Sequence, residues 1–129
     1  MFIIENTVFI ALSDKFYTIE FSDIEKLSRD ENSISQYFTE CDYDRFCDSI
    51  PKCNVDSFMI DFSDGFNVSE PHPIINLLMK ERLSISSYTA LKIGKYLLLK
   101  DVESFIIIDM KEMIIKYRCN NYGLTETIT

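Results

Sequence analysis

The chain has 129 residues, 47% of them hydrophobic, and a formal charge of −8. That length suits one domain spanning residues 1–129 with about two-thirds of its unfolded surface buried, and the apolar share argues against disorder. The three glycines, Gly65, Gly94 and Gly123, lie too far apart to build a loop that cradles phosphate.

The charge is uneven. Residues 1–79 hold 15 Asp/Glu against 5 Lys/Arg, while residues 80–129 hold 6 against 8. The first portion is therefore at −10 and the second at +2. An acidic surface repels nucleic acid and anionic lipid and speeds encounter with a basic protein. The expected partner is a basic protein, with no nucleic acid and no membrane. The N-terminal "MFIIENTVFIAL" has no basic lead, is broken by Glu5 and Asn6, and shows no small-residue cleavage site. No apolar run approaches the roughly 20 residues that span a bilayer. The expectation is a cytoplasmic protein, as a monomer or homodimer.

In chain order, "TVFIALSDKFYTIEF" (7–21) reads as a β-hairpin. Val8, Ile10 and Leu12 share one face, and Tyr17, Ile19 and Phe21 share another after the "SDK" turn. "SDIE" (22–25) has the spacing of a capping box, which predicts a short helix from Asp23. Ile34, Tyr37, Phe38 and Cys41 follow helical spacing, which predicts a second helix from about Ile34 toward Ile50, closed by Pro51. "DSFMIDF" (56–62) reads as a strand, "SDG" as a turn and "SEPHP" as a loop. Pro73 suits the first turn of a helix over 74–84, with Ile74, Leu77 and Leu78 on one face.

The densest apolar stretch is "GKYLLLKDVESFIIIDMKEMIIKYR" (94–118). As one helix it would be apolar all round. Its polar breaks and isoleucine-rich runs predict three antiparallel strands instead, over 95–100, 104–110 and 113–119, with 89–93 as a possible fourth. LLL and III do not alternate, so these strands should be buried on both faces. The fold class is α+β: an N-terminal β-hairpin, helices, then a C-terminal antiparallel β-meander. The two strand groups are expected to join in one mixed or antiparallel sheet packed by helices.

Chemistry-bearing residues are few. His72 is the one histidine, so a Cys–His or Ser–His pair would have to use it, and a flanking-proline loop is its simpler role. Cys41, Cys47 and Cys53 are six apart and Cys119 is remote. That is not zinc-pair spacing, and reduced thiols are expected. Asp42-x-Asp44 opens like a calcium loop, but Phe46, Cys47 and Cys53 fall where further ligands and a glycine belong. Asp61 and Asp64 could pair for acid–base work, although Asp64-Gly65 is more simply a turn. No catalytic residue, metal or cofactor is therefore expected.

What remains is "ECDYDRFCD" (40–48). Glu40, Asp42, Asp44 and Asp48 surround the aromatics Tyr43 and Phe46, a composition suited to a contact patch facing a basic protein. The bland reading of the same residues is a solvated helix face. No motif carries a family. In general character, small, acidic and without a catalytic signature, the chain is similar to the immunity proteins that neutralise bacterial toxins. That resemblance implies an inhibitor of a basic toxin such as a nuclease. The alternatives are a homodimeric structural or regulatory module, or a small enzyme using an Asp cluster.

Overall fold

Ile106, Ile107 and Ile108 are all fully buried. Side chains alternate along a strand, so the strand carrying them needs apolar cover on both faces. The rest of the fold supplies it. The computed structural model describes residues 1–12, 15–27, 30–31, 36–62, 73–83, 85–101 and 104–120. In chain order its strands are β1 (Phe2–Ile4), β2 (Thr7–Leu12), β3 (Lys15–Glu20), β4 (Asp30–Glu31), β5 (Thr39–Cys41), β6 (Val55–Asp56), β7 (Phe58–Asp61), β8 (Ser87–Ile93), β9 (Tyr96–Lys100), β10 (Ser104–Asp109) and β11 (Ile114–Asn120). Three short helices join them: α1 (Phe21–Ile24), α2 (Tyr43–Ser49) and α3 (Pro73–Lys80).

The α+β class holds, and so do the hairpin and the meander. The strands nevertheless form two sheets where the sequence suggested one. Sheet A runs β5-β3-β2-β1-β6, and sheet B runs β4-β11-β10-β9-β8-β7. Every pairing is antiparallel except β4 with β11, which is parallel. The physical reason for two sheets is that β2 and β9–β10 each bury both faces. Val8, Ile10 and Leu12 of β2 meet Leu91, Leu98, Phe105 and Ile107 of sheet B in one core. On the far side of sheet A, Phe2 and Phe9 pack under Phe46 of α2. On the far side of sheet B, Leu97, Leu99, Ile106 and Ile108 pack against Ile74, Ile75, Leu77 and Leu78 of α3. The order of layers is α2, sheet A, sheet B, α3.

A β-bulge adjusts the last strand. Ile107 faces Tyr117 but Ile108 faces Ile115, leaving Lys116 as the extra residue. The bulge puts Tyr117 in the core between the sheets and Ile115 on the α3 side, although they are two residues apart. Lys116 Nζ donates instead to the Glu25 carbonyl at 2.7 Å. At the β10–β11 turn, Asp109 Oδ1 accepts from the Lys111 and Glu112 amides at 3.0 and 3.1 Å, and Lys95 Nζ lies 3.6 Å from Oδ2. These contacts hold the Asp109 carboxyl below its usual pKa, the Glu112 amide contributing most.

Several local expectations are corrected. The helix expected from Asp23 starts earlier, at Phe21, with no side-chain cap. Glu25 does not close a capping box with Ser22, because the helix has already ended there, with Glu25 as its C-cap. The helix expected over 34–50 is mostly something else. Ile34 lies outside the described residues, and Thr39–Cys41 pairs with β3. Helix begins only at Tyr43, where Asp42 caps it by accepting from the Arg45 amide at 2.7 Å. Pro51 continues the chain into a 3₁₀ turn, Ile50–Lys52, rather than stopping it. The single strand expected over 56–62 is divided at Ser57, whose amide donates to the Met1 carbonyl while the chain leaves sheet A for sheet B. The helix expected over 74–84 ends at Lys80. The Arg82 and Leu83 amides turn back to the Met79 and Leu78 carbonyls with Arg82 at φ +60°, a Schellman closure made without glycine. The "SDG" turn and residues 69–72 of the "SEPHP" loop lie outside the described residues, and Pro73 opens α3.

Burial pushes Tyr88 up to about 12, helped by the Asp101 charge. Burial and then the Glu25 hydrogen bond push Tyr96 up to about 12 as well. In an unfolded chain both ionise near pH 10. The protonated form is the one the fold favours, so their contribution to stability is complete below about pH 10 and disappears as the pH rises through about 12. We expect a tyrosinate titration followed with circular dichroism to show Tyr88 and Tyr96 among the tyrosines that ionise late, in step with unfolding. Ionisation of all seven tyrosines near pH 10 in a chain that stays folded would contradict it.

Candidate partner-binding surface

Helix α2 crosses the outer face of sheet A, and its attachment decides what it shows to solvent. Phe46 is the anchor. It is 8% exposed, with its ring 5.1 Å from Phe2, 6.3 Å from Phe9 and 4.6 Å from Phe16. Phe2 and Phe9 stack at 4.9 Å beneath it. The sequence reading of Phe46 as a partner contact is therefore corrected: the helix needs this ring to hold it on the sheet.

At 100° per residue, Asp44 and Asp48 lie on the side of α2 opposite Phe46. Both are exposed, and neither makes an ion pair with a described residue. Two carboxylates at i and i+4 repel by about 0.2–0.5 kcal/mol. Asp44, in the first turn, recovers some of this from the helix dipole. Tyr43 is 63% exposed and leans on Phe16 with ring centroids 5.5 Å apart. A hydrogen bond with the Cys47 side chain, one turn on, raises the Tyr43 pKa. Arg45 lies on the opposite flank, its guanidinium 5.6 Å above the Phe9 ring.

The expected patch is thus only partly assembled. Asp42, Tyr43, Asp44 and Asp48 stand together on one exposed helix. Asp42 is also structural, since its carboxylate is the N-cap. Glu40 is exposed but separate. It pairs with Tyr17, which points into the space between the sheets, so Glu40 projects from the face of sheet A away from α2.

One feature of this region escaped the sequence reading. Downstream of α2, Ile50, Val55, Phe58 and Met59 are large, apolar and about half or more exposed. "SFMI" looks like ordinary core strand, and only its framing by Asp56 and Asp61 hinted at the surface. Residues 40–61 carry six carboxylates, all exposed, against Arg45 and Lys52. Exposed carboxylates and exposed apolar side chains thus lie close together in sequence over 40–61.

The other candidates fare less well. His72 and Asp64 lie outside the described residues, and Asp61 ends β7 in an exposed position. Cys41 and Cys119 are buried and Cys47 and Cys53 half-buried, none of them in a disulfide, and burial raises the Cys41 pKa. Among the described residues no three His, Cys, Asp or Glu side chains gather as a metal site. A shallow open groove of about 270 Å³ runs beside α3, lined by Pro73, Asn76, Leu77, Lys80 and Met113. Its lining offers an amide and an ammonium but no nucleophile or carboxylate. No helix among the described residues is long and apolar enough to cross a membrane. No protein-family model, curated protein or solved structure matches the chain.

The different placements of the two aromatics can be checked by unfolding. Phe46→Ala should cost about 3–5 kcal/mol, as for a buried phenylalanine. Tyr43→Ala should cost less than about 1 kcal/mol, as for a surface change. Denaturant unfolding with equal losses for the two would contradict the anchoring of α2.

Proposed function

We propose that the chain is an acidic protein-binding module that occludes a basic partner, in the manner of an inhibitor or immunity protein acting on a toxin domain, and that it performs no catalysis itself. The observation that supports this best is the outward face of α2. Asp44 and Asp48 repel one another there without a cation between them, beside the exposed ring of Tyr43. A basic surface would relieve that repulsion on docking. The aromatic ring would supply the short-range contact that slows dissociation. Charge acts first, by steering the encounter, and it is screened beyond about 8 Å at physiological ionic strength. A nuclease suits the charge especially well, since its substrate site already attracts phosphate and the exposed carboxylates would compete for it.

The test is association kinetics with the partner recovered from the native host by cross-linking. Asp42→Asn, Asp44→Asn and Asp48→Asn are combined in one variant. Asn is a good N-cap, so the helix should survive the change at position 42. The expected result is association slowed about tenfold or more at low salt, with a flatter salt dependence than the parent. Unchanged association at low salt would reduce α2 to a solvated face and send the search to the positive C-terminal meander.

A further inference from the structure

Strand β7 ends sheet B, and no strand among the described residues pairs with its other side. The main chain shows which groups face that open side. The Phe62 amide donates to the Ser86 carbonyl at 3.1 Å, and this pair continues the register of Ile60 with Tyr88 and Phe58 with Ala90. Hydrogen-bonded and non-bonded pairs alternate in an antiparallel ladder. Phe58 and Ile60 therefore bond β8, while Met59 and Asp61 turn their main-chain groups outward. The outward amide before them, that of Ser57, is taken by Met1 at 3.2 Å. The open stretch thus begins at Met59.

The side chains invite rather than prevent pairing. Phe58 is 50% and Met59 67% exposed, and alternation puts them on opposite faces of the strand. Edge strands are commonly blunted by lysine, proline or a bulge, and β7 carries none of these. Its flanking charges, Asp56 and Asp61, are exposed and both negative. The nearest cation along the cross-strand row from Met59 through Thr89 is Lys100, two strands away, half-buried and next to Asp101.

We propose that the β7 edge accepts an extended cationic segment of the partner as an added strand. Main-chain bonds form at Met59, apolar side chains of the added strand cover Phe58 and Met59, and basic side chains meet Asp56 and Asp61. The proposal rests on the reading of the chain as a binder of a basic protein, and adds where and how that partner engages. A second copy of this chain suits the edge less well, because it would bring another −8 of charge and the same two carboxylates to the seam.

The test uses the full chain and three blocked peptides: Lys-Thr-Val-Val-Thr-Lys, which sets its two Val against Met59 and Phe58 and its Lys against Asp61 and Asp56, the same peptide N-methylated at every residue, and Glu-Thr-Val-Val-Thr-Glu. The Lys–Val peptide should shift the amide resonances of β7 and slow exchange of the Met59 amide, and the other two should not. Met59→Pro removes the outward amide while leaving the β8 ladder intact, and Met59→Lys places a like charge at the seam. Each should weaken Lys–Val binding at least about tenfold. Shifts confined to residues 43–49 would overturn strand addition and leave the acidic-face reading standing. Shifts nowhere would overturn both. Equal binding of the N-methylated peptide would overturn strand addition, because charge alone would then suffice. A free protein that sediments as a dimer, and as a monomer after Met59→Lys, would assign the edge to a second copy and overturn the proposal.

Discussion

Everything in the fold follows from the need to cover β10 on both faces. Phe105, Ile106, Ile107 and Ile108 are completely buried, and Leu98 and Leu99 beside them are too. Each such side chain contributes about 1.5–3 kcal/mol when removed from water. Alternation divides that contribution between two opposite faces, so neither face can be left wet. Sheet A covers one and α3 the other. Sheet A, whose β2 is also apolar on both faces, then needs a cover of its own, and Phe46 brings α2 to provide it.

The surface is shaped by this layering. The outermost layers are short helices, and each has one buried side and one free side. On α2 the buried side is a single ring, so most of the helix is available for polar groups, and carboxylates occupy it. The chain must also pass between layers. It does so on either side of β4 and again at Ser57, where β6 of sheet A gives way to β7 of sheet B. That crossing leaves a strand at the rim of the sandwich with apolar side chains on both faces. Charge and exposed apolar surface come close in sequence here because one segment, residues 40–61, crosses sheet A and then closes its corner with sheet B.

The strands were more legible than the helices. The hairpin and the four strands from Ser87 to Asn120 could be read from runs of β-branched and aromatic residues separated by polar breaks. The helix at Pro73 could be read from its proline and its apolar face, though not its end, because Arg82 takes the left-handed position where glycine would have been the signal. The failures share a cause. "SDIE" had the right local pattern, but the Phe21 amide bonds the distant Asn6 carbonyl, the helix starts there, and Glu25 falls at its end. Thr39–Cys41 fitted a helical period, but β3 offers it an edge. The acidic character of α2 was visible in composition. Which of its aromatics faces out was not, because Tyr43 and Phe46 are three apart and only the phenylalanines of β1–β3 decide between them. The open edge of β7 could not be read at all, since exposure depends on where a sheet ends.

The most direct test of this arrangement is native-state hydrogen exchange of the β9 and β10 amides. If those strands are the element on which both outer layers depend, Leu97–Leu99 and Phe105–Ile108 should exchange only through global unfolding, at the free energy measured by denaturant. The amides of α2 should open at lower energy without disturbing them. Exchange of β10 through a partial opening cheaper than that of β2 would contradict the central place given to that strand.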